Sequence, residues 1–131
     1  MSMIARITVA LILVIVIGSI YLNFSALHTE ERSFDSTLWS ELKEESMLND
    51  PGCVRGGMAL SLIRNKRLTG LHIADVAELL GETNEPSTPT EFRYSIGQCH
   101  WDWKHSSMVV HFNASSIVTN AFIEVEKHPN D

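Results

Sequence analysis

What this 131-residue chain lacks is a recognisable piece of chemistry. It contains no phosphate-binding loop, dinucleotide fingerprint, nucleophile elbow or HExxH helix. A Ser-His-acid set can be drawn on paper from His100, Asp102 and a serine, but nothing presents the nucleophile, so the chain reads as a non-enzyme without a cofactor. Glycine (7) and proline (4) are too few for a collagen-like or low-complexity protein. The single long apolar run excludes a polytopic membrane protein, and no segment repeats. Positive charge is scarce: ten Lys/Arg against sixteen Asp/Glu leave a net charge of −6. With no basic stretch concentrated to meet phosphates, a nucleic-acid partner is not expected. No cysteine precedes Cys53, so a lipid-modified cysteine near the N-terminus is not expected either.

The run that is present, Ile7–Phe24, holds no charge. As a helix it would span about 27 Å, close to the roughly 30 Å hydrocarbon core of a bilayer. Residues 1–24 therefore read as a transmembrane signal-anchor that makes the membrane itself a partner. Arg6 precedes the run, whereas Glu30 and Glu31 come before the next base, Arg32. The positive-inside rule then places the N-terminus in the cytoplasm and the following domain in the periplasm, single-pass in the inner membrane. The competing reading is a cleaved signal that releases the domain to the periplasm. Small residues at −3 and −1 are hard to find, since cutting after Ala26 leaves Phe24 at −3 and cutting after Ser25 leaves Asn23.

Residues 25–52 read as a spacer. Leu38, Trp39 and Leu42 could line one side of a short helix capped by Ser36, and Trp39 could dock on the following domain or on a partner. Residues 53–127 read as the folded domain. Val54, Met58 and Leu62 recur at i, i+4 and i+8, which predicts a helix over Pro51–Arg64, with Gly56 and Gly57 admitting another backbone. Ile73, Val76, Ala77 and Leu80 predict a second helix ended by Gly81. Alternating residues then predict strands at Phe92–Ile96, Met108–Phe112 and Ile117–Glu126, with Asn113-Ala114-Ser115 as a turn. Three closely spaced strands pair antiparallel, and one face against two helices makes a two-layer α+β domain.

The run Leu68-Thr69-Gly70-Leu71-His72-Ile73-Ala74-Asp75-Val76-Ala77-Glu78-Leu79-Leu80-Gly81 resembles the signature of the SmpA/OmlA, or BamE-like, envelope proteins. Arg55, Met58, Tyr94-Ser95-Ile96-Gly97 and the strands containing Val109–Phe112 and Phe122-Ile123 extend the resemblance to about residues 34–126. His72 stands where that family usually has Ser or Thr, and Thr83 where a proline often follows. The resemblance implies an α-α-β-β-β order and a scaffold without enzymatic activity. Its best understood members belong to the outer-membrane β-barrel assembly machine.

Cys53 and Cys99 are the only cysteines. Outside the cytoplasm an even pair in a small domain suggests a disulfide, with free thiols and metal ligation as the competing readings. Closing that loop would stabilise by about 4 kcal/mol on the chain-entropy argument. Cys99, His100, His105 and His111 are the residues a zinc or copper ion would take, although a solvated strand face also explains the histidines. Trp101 and Trp103, on one face of an extended segment, are candidate binding residues together with Trp39; the alternative has the rings closing an open end of the core. Two functions are thus expected in competition. One is a non-catalytic, membrane-anchored envelope module that binds another envelope protein. The other is a periplasmic ligand- or metal-binding domain that uses residues 99–111.

Overall fold

The computed structural model describes residues 2–24, 29–42, 53–83, 86–99 and 104–127. Among these, the order is α1 (Met3–Phe24), α2 (Ser36–Glu41), α3 (Val54–Arg64), α4 (Ile73–Leu80), β1 (Glu91–Gly97), β2 (Ser106–Phe112) and β3 (Val118–Val125). The protein is a mixed α+β chain with an apolar N-terminal helix.

Helix α1 has no charge after Arg6, and none of its apolar span is buried against the rest of the chain. A helix that is apolar on every side has no preferred face to pack. By length and composition it can cross a membrane.

The stretch from residue 29 to 42 is not a spacer. The Arg32 N–H donates to the Gly57 carbonyl at 3.0 Å, and the Arg64 guanidinium meets Glu31 at 3.0 Å. A Cβ on Gly57 would fall 2.5 Å from the Glu30 carbonyl oxygen, so only glycine admits this backbone. Asp35, rather than Ser36, caps α2: its carboxylate accepts the Leu38 N–H at 3.0 Å. Asp35 is extended, with φ −128°, which lets its side chain reach back over the first turn, while Ser36 is already helical.

Helix α3 starts at Val54, because Cys53 before it is left-handed at φ 47°. Pro51 lies outside the described residues. At its other end, Lys66 N–H donates to the Ile63 carbonyl and Arg67 N–H to the Leu62 carbonyl, the two bonds of a Schellman ending. Lys66 holds the left-handed position at φ 49° that glycine usually fills. Helix α4 is capped by the His72 ring, whose Nδ1 accepts the Ala74 N–H at 3.1 Å, as a Ser or Thr hydroxyl would. Gly81, at φ 76°, ends it.

The sheet order is β1-β2-β3, antiparallel throughout, with Tyr94 opposite Met108 and Met108 opposite Ile123. The Asn113 side chain accepts the N–H groups of Ser115 and Ile117 at 2.9 and 3.0 Å, which turns β2 into β3. Tyr94, Ile96, Met108, Val110 and Phe112 face the helices and close the core with Met58, Leu62, Leu68, Val76 and Leu80.

Candidate functional site

Three groups of sequence-predicted residues meet different fates. Cys53 and Cys99 are joined in a disulfide, with Cα atoms 5.6 Å apart. The bond ties the start of α3 to the end of β1 across a separation of 46 residues. Because the Cys99 sulfur is committed to that bond, it offers no thiolate to a metal, and the four-residue metal set loses its softest ligand. His105 is exposed, and the His111 ring lies 3.0 Å from the Glu91 carboxylate. Among the described residues no three His, Cys, Asp or Glu side chains converge. His100, Trp101, Asp102 and Trp103 lie outside the described residues.

Trp39 is not a surface contact; it is 1 % exposed. Its indole N–H donates to the Leu80 carbonyl at 3.0 Å, its ring meets Tyr94 edge-on at 6.1 Å, and Arg55 stacks over it at 4.1 Å. The large apolar ring with one polar handle is satisfied by one carbonyl of α4, so burial inside its own domain wins over display to a partner. Arg55 also donates to the Leu42 carbonyl at 3.2 Å. Loss of water lowers the Arg55 pKa to about 10, slightly offset by Tyr94. The same cause pushes the Tyr94 phenol up to about 12, opposed by Arg55. The Tyr94 hydroxyl donates to the Gly81 carbonyl at 3.2 Å. These groups fasten the segment 29–42 to both α3 and α4.

The face of the sheet away from the helices carries a polar network. Arg93 bonds Glu91 at 3.0 Å and Glu124 at 3.3 Å, and Glu91 also meets His111. The Arg93 hydrogen bond holds the Glu91 carboxyl below the usual range, with partial burial opposing it and the His111 hydrogen bond adding to it. Arg93 is thus held between two carboxylates on this face, and Glu91 joins Arg93 to His111.

A second surface escaped the sequence. A groove of about 310 Å³ runs beside β3, lined half by apolar residues such as Ile63 and Ala121 and half by polar ones, Lys66, Thr69, Thr119 and Asn120. In the linear sequence Asn65–Thr69 is a polar, basic connection after the first domain helix. Its position against β3 depends on the Schellman ending and on the pairing of residues 70–73 with the β2–β3 hairpin.

No family model, curated protein or solved structure matches the chain.

Proposed function

We propose that the protein is a non-catalytic, membrane-tethered module that binds another envelope protein. The observation that carries this reading is the join between a helix that is uncharged after Arg6 and able to cross a bilayer, and a small body stapled by a disulfide. The bond fits an oxidising compartment, and Arg6 ahead of the uncharged run Ile7–Phe24 favours a cytoplasmic N-terminus with the body in the periplasm. The resemblance over residues 34–126 to BamE-like scaffolds supports a partner in envelope or outer-membrane assembly, with an α-α-β-β-β body presenting the contact surface. Retention of α1 as an anchor, rather than its removal as a signal, follows from the lack of small residues at a cleavage site.

Crosslinking in native membranes followed by mass spectrometry tests the reading. The expected result is full-length chain in the inner-membrane fraction, joined to a defined envelope protein through the body. A soluble form lacking residues 1–24, or a body that crosslinks to lipid alone, would overturn it.

A further inference from the structure

The two outer edges of the sheet are finished differently. At β1 the chain folds back over the first half of the edge: Thr88 and Glu91 exchange N–H to carbonyl bonds of 2.9 and 3.2 Å, and the Arg93 N–H donates to Ser87 Oγ at 3.3 Å. At β3 only the start is closed. There Gly70 N–H donates to the Val118 carbonyl at 3.0 Å, and Val118 N–H to the Leu71 carbonyl at 2.9 Å. Farther along, the register turns the N–H and C=O groups of Asn120, Phe122 and Glu124 toward β2. Those of Ala121, Ile123 and Val125 consequently point away from the sheet, and among the described residues nothing pairs with them. A strand edge in this state is a template for another extended chain.

What such a chain would meet is set by its surroundings. Ala121 belongs both to the open edge and to the groove, so a strand added to β3 would lay alternate side chains beside the half-buried Ile63 and Ala121, with the exposed Thr69, Thr119 and Asn120 around them. Ile63 and Ala121 favour one small apolar side chain there, and the threonines and Asn120 favour polar ones. At the rim, Arg64 is held by Glu31 and Arg67 lies over the Phe34 ring at 5.9 Å. Lys66 has no ion pair among the described residues, although the chain carries a net charge of −6. The corner therefore offers a cation to a carboxylate on the incoming segment.

We propose that the open edge of β3 and the adjoining groove dock an extended segment of a partner protein that alternates apolar with polar side chains, sets an apolar one against Ile63 and Ala121, and carries a carboxylate beside Lys66. This names the surface and the kind of partner for the interaction module proposed above, and it rests on that reading.

The test uses the full chain in detergent micelles with two blocked peptides. Both alternate Val with Thr; one is flanked by Asp and the other by Lys. The Asp peptide is expected to slow amide exchange at Ala121, Ile123 and Val125 and to bind about tenfold more tightly than the Lys peptide. Ile123→Pro removes an outward N–H without touching the β2 ladder and is expected to weaken binding by about tenfold. Lys66→Gly relieves a left-handed side chain, so it should raise the melting temperature while still weakening the Asp peptide by several-fold. That opposition keeps the test informative where Ile123→Pro unfolds the protein. Equal affinity for both peptides, protection elsewhere on the body, or unchanged binding by Lys66→Gly would overturn the proposal. So would self-association that protects the same amides without peptide. A native-membrane crosslink to a partner mapped away from β3 would overturn this edge assignment alone, whereas loss of any protein partner would overturn the broader reading.

Discussion

Met108 and Val109 are adjacent on β2, both wholly inaccessible, and they face opposite sides of the sheet. Met108 lies in the core beneath the helices, beside Tyr94 and Ile123 across the ladder. Val109 is flanked instead by Arg93 and Phe122, with Glu91, His111 and Glu124 around them. One face is closed by apolar surface that packs to interior density. On the other, the cross-strand partner of Val109 is an arginine whose head is held by two carboxylates. Equal burial thus rests on unequal physics: the inner cover must be torn open, while the outer one can be loosened by salt, acid or water.

Perturbations of the two faces should therefore separate in size. The largest effect is expected on the helix side, where Trp39→Ala removes the ring that joins α2, α4 and β1. Chemical denaturation of the full chain in detergent should show a loss of about 4 kcal/mol, and a loss under about 1 kcal/mol would mean the ring is dispensable to the core. Reduction of the Cys53–Cys99 bond comes next, with about 4 kcal/mol on the chain-entropy argument. It should add about two daltons to the mass and lower the melting temperature; unchanged values for both would rule the staple out. The direct comparison is Met108→Ala against Val109→Ala. The first should cost about 3 kcal/mol and the second about 1 kcal/mol, because the Arg93 stem can settle over the smaller residue whereas the helix-side core cannot. Equal costs would erase the distinction between the faces.

Titration gives finer contrasts. The folded pKa of Tyr94 is raised to about 12, so the native state keeps a proton that the unfolded chain loses near pH 10. Its contribution to stability is therefore complete below about pH 10 and lost as pH rises toward 12. Arg55, lowered to about 10, acts in the opposite sense, since the cost of burying its charge fades above that pH. Tyr94→Phe should cost about 1 kcal/mol at neutral pH through the lost bond to the Gly81 carbonyl. It should also turn the stability profile between pH 10 and 12 upward relative to the parent; parallel profiles would show that the phenol is not desolvated. The smallest effect belongs to the outer face. Glu91 has its folded pKa below the unfolded value, so its contribution is present at neutral pH and lost as pH falls through the folded value. Glu91→Gln should cost less than about 1 kcal/mol, flatten part of the acid loss, and matter less in high salt. A cost of several kcal/mol would make the polar network as structural as the core.

Much of this architecture is legible locally. Ile73, Val76 and Leu80 with Gly81 define α4 because helical period and a left-handed ending are properties of a dozen consecutive residues. The alternation through Phe92–Ile96 and Met108–Phe112 announces strands for the same reason, and the uncharged run Ile7–Phe24 announces α1. The missed features depend on distant partners. Asp35 displaces Ser36 as cap because the chain enters α2 extended. Residues 29–42 join the body because Gly57 lets a backbone approach and Leu80 supplies a carbonyl to Trp39. Of the four candidate metal ligands, Cys99 has its sulfur claimed by Cys53, His111 is sent to Glu91 by strand register, and His100 lies outside the described residues.

By itself the sequence determined the apolar helix, the identity of the helices and strands after Cys53, and the presence of a single cysteine pair, all of which follow from short-range periodicity and composition. Only the tertiary structure decided that Trp39 is core, that Val109 is buried on the face that carries the ionic network, and that, among the described residues, the outward amides of β3 beyond Val118 have no partner. These outcomes depend on which carbonyls, charges and backbones arrive from far along the chain, and hydrogen bonding and close packing choose among them only once the layers meet.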